Sequence, residues 1–399
     1  MMTESELTRF FPYYQPIVDV LTGEIGGYEA LARQQTPDGT VISAWPFFSD
    51  DEIEPERKLQ VDRHVRSSAL SSFSTRHGNA FISVNISPTF MDAGNLDIGG
   101  TTLSMLDTYD IPPCNVVTEI LETPGEREAI HLISKRFHEA GVQVAIDDFG
   151  AGHSHMERLF DLKPDYLKID MNLFRLAARG GVRADYLQAL RYVTERNSIR
   201  VVCEGVETED EFMFAMDCGA RYIQGFLFSP AVPDMLPVDT FKDQVETLRS
   251  RYLEQRAERL TRAALHRVQI EEAILTLKTR ILEEDLRNVA IDALRDLGVF
   301  RFFACKVNGE QVSSNYNLLD KLTIDRHFCG YNWSPRPYFA ELMALREALD
   351  GDDHIIHSSA YKDQERQQLC RTYGIGLDDE HLLLVDVAEE DLLSYIKDN

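Results

Sequence analysis

Acidic and amide side chains recur in this sequence where short apolar runs end. Glu29 closes Gly-Gly-Tyr-Glu, Asn85 closes Ile-Ser-Val-Asn, and Glu119 closes Val-Val-Thr-Glu. Asp147 and Asp148 follow Val-Ala-Ile, Lys168 and Asp170 stand in Leu-Lys-Ile-Asp, Glu204 and Glu207 follow Val-Val-Cys, and Gln224 stands in Tyr-Ile-Gln-Gly. Taken singly, such groups have ordinary explanations: a carboxylate after a strand is a solvated loop group or a helix N-cap, and a lysine at a strand end snorkels to water. Adjacent acids directly behind an apolar run are costlier unless they bind something. If the runs lie side by side, the carboxylates repel one another, by about 4 kcal/mol for a pair 4 Å apart at an effective dielectric near 20. Cations must then hold the cluster together. An all-oxygen donor set without His or Cys favours hard ions such as Mg²⁺ or Mn²⁺ over zinc.

The elements that would position these groups are short buried strands alternating with amphipathic helices. Across residues 13–236, apolar runs at Phe81–Ile86, Val116–Leu121, 142–146, Tyr166–Ile169, 199–203 and 221–227 are separated by polar and helical stretches. That rhythm predicts parallel βα units, and about 225 residues of it suits a TIM-like (β/α)8 barrel, whose C-terminal strand ends converge on one face. The stretch 127–140 shows the expected helical face in Ile130, Ile133, Phe137 and Ala140, stopped by Gly141. From 238 to 297 there is neither Gly nor Pro, and apolar residues recur at Phe241, Val245, Leu248, Tyr252, Leu260, Ala264, Val268, Ile274, Leu277 and Ile281. This predicts one long helix or two abutting ones, either lying on the barrel or serving as a dimer-forming or signal-carrying linker. Beyond it, strands at 298–307 and 382–387 and a helix at 338–349 predict a small α+β domain. The chain thus divides into residues 1–236, 237–297 and 298–399.

Composition narrows the classes of partner. With 41 basic and 66 acidic residues the net charge is −25, so a nucleic-acid polymer or an anionic membrane is a poor partner, and an anionic substrate needs a site with its own positive charge. No run of eighteen apolar residues predicts a membrane span. The acidic N-terminus is unlike a secretory signal, and six scattered cysteines without a CxxC pair suit reduced thiols. A cytoplasmic protein without membrane insertion is expected.

Together the motifs resemble the EAL family of cyclic-di-GMP phosphodiesterases. Glu29-Ala30-Leu31 with Arg33 resembles the signature itself. In order follow Tyr14-Gln15-Pro16-Ile17 upstream of it, Val84-Asn85-Ile86-Ser87, Glu119-x-x-Glu122, Asp147-Asp148-Phe149-Gly150, Lys168-Ile169-Asp170, Glu204-Gly205-Val206-Glu207 and Gln224-Gly225-Phe226. The resemblance implies metal-dependent cleavage of cyclic-di-GMP to linear pGpG. It implies a first metal position at Glu29, Asn85, Glu119 and Asp147 with Glu204 in the cluster, and a second metal shared by Asp147 and Asp148. Lys168 matches the residue that positions the attacking water, Gln224 and Glu207 match residues that support water and metals, and Gln15, Leu31 and Arg33 fall at substrate-contacting positions. Glu122 matches a glutamate that orders the loop after Asp148.

Some positions depart from the family pattern. Leu121 replaces the usual threonine before Glu122, and the loop after Asp148 carries His153 and His155, which read either as neutral variation or as a pH-sensitive, weakened second site. Phe228-Ser229-Pro230-Ala231 lacks the basic residue often found there, which implies altered guanine-side contacts, and Met171 and Cys203 replace commoner Arg and Ala. Beyond the barrel, Trp333-Ser334-Pro335-Arg336-Pro337-Tyr338-Phe339, Ser359-Ala360-Tyr361 and Val385-Asp386 are similar to PAS- or Cache-like sensor domains and to the domain following EAL in YkuI-type proteins. There an Arg, Tyr and Asp set lines a small-ligand pocket, although aromatics in such a turn can equally serve packing. The resemblance implies a sensor or dimerisation module, a homodimer, and a small-molecule ligand for this domain. Three functions remain open: an active phosphodiesterase, a cyclic-di-GMP receptor without turnover that signals through the long helix, or, if the site is vestigial, a partner-binding scaffold.

Overall fold

The computed structural model describes residues 2–74, 80–86, 97–121, 127–151, 159, 161–284, 289–318, 321–348, 353–363 and 365–389. The chain forms two compact units that divide between Tyr252 and Leu253.

The first unit is a closed barrel of eight strands with helices outside. Its strands are β1 (Phe10–Asp19), β2 (Ile25–Gln35), β4 (Phe81–Ile86), β5 (Val116–Leu121), β6 (Gln143–Phe149), β7 (Tyr166–Ile169), β8 (Arg200–Cys203) and β9 (Ala220–Ile223); a short β3 (Val41–Ser43) pairs only with β2, outside the ring. Neighbours from β2 through β9 are parallel, as the alternation of runs and helices predicts. β1 differs: it is antiparallel to both β2 and β9. Only Val20 to Glu24 separates β1 from β2, too short for a crossover helix, so the pair must fold back as a hairpin. Gly23, at φ 78, supplies the left-handed residue of that turn.

Two hydrophobic layers position the site. The larger lies between strands and helices, with Phe137, Phe174, Phe212 and Phe214 fully buried in it. The second fills the barrel interior with Ile17, Phe81, Val117, Ala145, Tyr166, Val202 and Tyr222. The rings of Phe81, Tyr166 and Tyr222 meet with centroids 5.2–5.7 Å apart. Gly27 makes room for them, since a Cβ there would stand 2.4 Å from the Phe81 ring.

The stretch after Pro237 forms one long helix, Lys242–Leu282, followed by a short one, Ile291–Asp296. Its first turns, with Val245, Leu248 and Tyr252, belong to the barrel core. Its last turns, with Ile270, Ile274 and Leu277, belong to the core of the second unit. Leu253, Leu260, Leu265 and Val268 between them are exposed.

The second unit is an antiparallel sheet of β10 (Val299–Lys306), β11 (Asn315–Leu318), β12 (Leu322–Asp325), β13 (Ile356–His357), β14 (Tyr361–Lys362), β15 (Leu369–Gly376) and β16 (His381–Ala388), in the order β12-β11-β10-β16-β15-β13 with β14 beside β15. Alternation along the strands separates its two faces. Phe302, Leu383, Val385 and Val387 pack with Ile270, Ile274 and Leu277, while Phe303, Cys305, Leu382 and Leu384 pack with the Pro337–Ala348 helix. The expected strands at 298–307 and 382–387 and helix at 338–349 correspond to β10, β16 and this helix.

Candidate metal and active site

A two-residue step along each barrel strand leads from the apolar interior layer to a polar one. Val117 is followed by Glu119, Ala145 by Asp147, Tyr166 by Lys168, Val202 by Glu204 and Tyr222 by Gln224. Gly27 is likewise followed by Glu29, Phe81 by Ser83 and then Asn85, and on the antiparallel β1 Gln15 precedes Ile17. Side chains two residues apart share a strand face. An aromatic floor beneath one end of the barrel therefore carries a polar layer at its mouth.

Lys168 is the centre of that layer. Its Nζ stands 2.8 Å from Asp147 Oδ1, 2.8 Å from Glu204 Oε1, 2.9 Å from Glu119 Oε2 and 3.3 Å from Glu29 Oε2. Asn85 Nδ2 donates to Glu29 Oε1 at 3.1 Å, and Gln224 Nε2 donates to Glu29 Oε2 at 2.6 Å and to Gln15 Oε1 at 3.2 Å. Lys168 is only 2% exposed, Glu119 fully buried, and Glu29 and Asp147 each 6% exposed. An ammonium has three protons to give, so it cannot satisfy four carboxylates. Glu119 Oε2 and Asp147 Oδ1 indeed lie at ion-pair distance from Nζ but without an aligned hydrogen bond. Among the described residues no second cation lies at ion-pair distance from the four, although Arg33 is near enough to Glu29 to feel its charge.

The electrostatics record this deficit. Burial, followed by the Glu29 carboxylate, drives Glu119 well above the usual carboxylate range. Burial pushes Glu204 up to about 8 against the pull of Lys168. In Asp148 burial, then the neighbouring Asp147, raises the carboxyl to about 6. Burial also opposes ionisation of Glu29, but Lys168, Gln224 and Asn85 outweigh it and hold that group low. The carboxylates in turn outweigh burial at Lys168 and keep it charged.

Asp147 and Asp148 are consecutive and would ordinarily face opposite sides of β6. The pairing of β6 with β7 shifts register between Ile146 and Phe149, and Asp148 takes a positive φ of 53. Asp tolerates that conformation better than most residues. Oxygens of Asp147, Asp148 and Glu204 consequently come within 4.8 Å of one another, a separation that one ion can bridge. The donor set is all oxygen, partly orphaned and negatively overcharged, so it fits one or more hard divalent cations.

The remaining candidates divide. Arg33, half-buried on β2, lies over the Tyr13 ring at 5.5 Å, and Leu31 pairs with Tyr13 in the hairpin. Gln15 also donates to the Ser229 carbonyl at 3.3 Å. Glu207 stands apart from the cluster: its exposed carboxylate pairs with Arg175, and its backbone N–H donates to Glu211 at 2.7 Å. Asp170 caps the Met171–Ala178 helix. Cys203 is fully buried in the outer core, a small apolar filler. Glu122, His153 and His155 lie outside the described residues. Sequence reasoning missed Ser83, which is buried and donates to Glu119 at 2.6 Å. The available signal was its place two residues before Asn85, on the same inward face.

Comparison with known proteins follows this geometry. Residues 2–231 match the EAL domain family, and residues 235–396 match the EAL-domain associated signalling protein domain. The uncharacterized EAL-domain containing protein YkuI of Bacillus subtilis is 26% identical over 389 residues, covering 94% of this chain and 93% of that protein. The crystal structure of YkuI in complex with substrate c-di-GMP and calcium superposes with a TM-score of 0.84 at 24% identity, covering 98% of this chain and all of that one, a likeness of fold. The probable cyclic di-GMP phosphodiesterase PdeB of Escherichia coli is 28% identical over 225 residues, covering 55% of this chain but 42% of PdeB. The manganese and cyclic-di-GMP complex of Klebsiella pneumoniae BlrP1 has a TM-score of 0.51 at 28% identity, covering 56% of each chain.

Proposed function

The chain belongs to the EAL-domain family, and from that premise we propose that it is a metal-dependent phosphodiesterase that hydrolyses cyclic-di-GMP to linear pGpG. The observation that carries this reading is the mouth of the barrel, where four carboxylates share one lysine and two of their buried oxygens lack aligned donors. In this reading Glu29, Asn85, Glu119, Asp147 and Glu204 hold one divalent ion, and Asp147 with Asp148 holds a second, Mg²⁺ or Mn²⁺. Bound there, the ions supply the positive charge that a phosphodiester needs on a protein of net charge −25, and they activate water.

The chain's own residues prepare the rest. Lys168, among the described residues the one lysine at ion-pair distance from these carboxylates, would be freed from them by bound cations and would position the attacking water. Gln224 orients Glu29 from one side and Asn85 from the other. Arg33, with Gln15 and Leu31 on the same hairpin, faces the diester. Glu207 acts from further out, through Arg175. The relatives named for cyclic-di-GMP or its hydrolysis support the substrate class.

We also infer that the protein is cytoplasmic and dimeric, and that residues 298–399 form a sensor or dimerisation module joined through 237–297. No helix among the described residues is long and apolar enough to cross a membrane. Incubation with cyclic-di-GMP and Mg²⁺ or Mn²⁺, followed by chromatography for pGpG, tests the proposal. Tight binding without product makes the protein a receptor instead, and absence of both removes the assignment.

A further inference from the structure

Glu204 differs from the other carboxylates around Lys168 in where it stands. Glu29, Glu119 and Asp147 lie within strands, whereas β8 ends at Cys203 and Glu204 begins the loop that leads to the Glu209–Asp217 helix. Its position therefore depends on what holds that loop. Glu204 N–H donates to the Ile169 carbonyl at 3.3 Å, Val206 N–H to the Gln224 carbonyl at 3.2 Å, and Leu227 N–H to the Val206 carbonyl at 3.0 Å. The N–H groups of Glu207 and Thr208 donate to the buried Glu211 carboxylate at 2.7 and 3.1 Å. Between these ties stands Gly205, at φ 65. Glycine moves between backbone regions more freely than any other residue, so Gly205 is the point about which Glu204 could swing.

One side chain closes that gap. Arg175, half-buried on the Met171–Ala178 helix, donates through Nη2 to the Gly205 carbonyl at 3.2 Å. The same guanidinium pairs with Glu207, and its Nε lies 3.9 Å from Glu211 Oε1. Among the described residues no other cation lies at ion-pair distance from Glu207 or Glu211. Met171, four residues earlier and so on the same helix face, lies against Gly205: a Cβ built there would meet the Met171 Cγ at 2.2 Å. Methionine has no proton to donate, which leaves the Gly205 carbonyl to Arg175. A planar guanidinium suits the task, since its fork can hold a carbonyl and a carboxylate together. We propose that Arg175 is a positioning residue for the metal site. It fixes the Gly205 peptide, and with it the direction in which Glu204 presents its carboxylate beside Asp147 and Asp148. The inference rests on the reading of Glu204 as a metal ligand.

Charge and positioning predict opposite signs when Arg175 is removed. Loss of a positive charge near the cluster would, by Coulomb attraction alone, tighten the hold on a cation. Loss of a partner that orients a metal ligand weakens that hold, by roughly 10–100-fold. The full-length protein, stripped of metal with EDTA and desalted, is titrated with Mn²⁺ alone by calorimetry. Arg175→Met is expected to raise the Mn²⁺ Kd about ten-fold or more, and Arg175→Leu takes its place if that variant does not fold. Arg179→Met removes the same charge from an exposed position at the end of the same helix, and its Kd is expected to stay at the parent's value or fall. A Kd for the Arg175 variant that is unchanged or lower overturns the inference. So does equal weakening by Arg179→Met. A variant that melts lower in EDTA yet binds Mn²⁺ as the parent does makes Arg175 a staple of the fold alone, which overturns it too. A parent that takes up no Mn²⁺ removes the metal reading of Glu204 itself, and this inference with it.

Discussion

Replacing Lys168 with Met tests the idea that this ammonium stands in for divalent cations. The variant keeps the side chain's length and removes the charge that lies 2.8–3.3 Å from four carboxylates. Breaking a buried ion pair by removing one partner costs about 3–5 kcal/mol, because the other charge is left uncompensated. The carboxylates can escape part of that cost by taking up protons, as Glu119, held well above the usual range, and Glu204, raised to about 8, both favour. The cost is therefore larger at pH 8 than at pH 6. For a unit of roughly 250 residues each kcal/mol shifts the melting temperature by about 2–4 °C, so Lys168→Met in EDTA should melt about 6–20 °C below the parent. Mg²⁺ at a hundred times its Kd returns about 2.7 kcal/mol, and the variant gains more than the parent because no lysine competes with the ion. With Mg²⁺ bound, the refolded variant should still lose about 10²–10⁴-fold in turnover, the usual worth of one positioned acid–base group. Differential scanning fluorimetry at pH 6 and 8, with EDTA or Mg²⁺, reads the first effect. Equal melting of variant and parent in EDTA, or equal gains from Mg²⁺, refutes the reasoning.

Other expectations follow from the same geometry. Glu29→Ala removes a group that Asn85, Gln224 and Lys168 all contact, and pGpG formation should fall below detection with the fold retained; measurable turnover would move the site elsewhere. The carboxyls of Glu204 and Asp148 are raised, so the folded protein holds protons there that the unfolded chain releases. The stability these groups contribute is present below the ordinary carboxylate range and is lost as pH rises through about 6 and then about 8. Metal-stripped protein should accordingly melt lower at pH 8.5 than at pH 5.5, and saturating Mg²⁺ should flatten that slope; a slope unchanged by Mg²⁺ contradicts it. Gly27→Ala drives a Cβ to 2.4 Å from the Phe81 ring and should cost about 1–3 kcal/mol, with recovery in the Gly27→Ala/Phe81→Leu double variant in urea denaturation.

The fold was legible because its strands are short, apolar and regularly spaced. Six runs picked out from hydrophobicity correspond to strands β4 to β9. The orientation of β1 was not legible from the βα rhythm, because a five-residue turn around Gly23 decides it. Within the site, Glu29, Asn85, Glu119, Asp147, Lys168, Glu204 and Gln224 could be picked out because polar groups at the ends of apolar runs are conspicuous. Ser83 was not, since serine in a strand is unremarkable until its neighbour on the adjacent strand is known to be Glu119. Glu207 shows the opposite limit: three residues from Glu204 in sequence, it lies beyond the strand end, and its carboxylate turns outward to Arg175. The buried Arg301–Asp386 pair could not be read either, because the two residues are 85 apart in sequence and only sheet register makes them neighbours.

The aromatic floor of Phe81, Tyr166 and Tyr222 has a kinetic consequence. It closes the barrel interior from below, so the mouth is a cup with one opening and not a tunnel. Whatever is made there must leave by the side from which its precursor arrives. If cyclic-di-GMP is cleaved there as proposed, exit of product and entry of the next substrate share that one opening, and release of product becomes a candidate for the step that sets the pace of turnover.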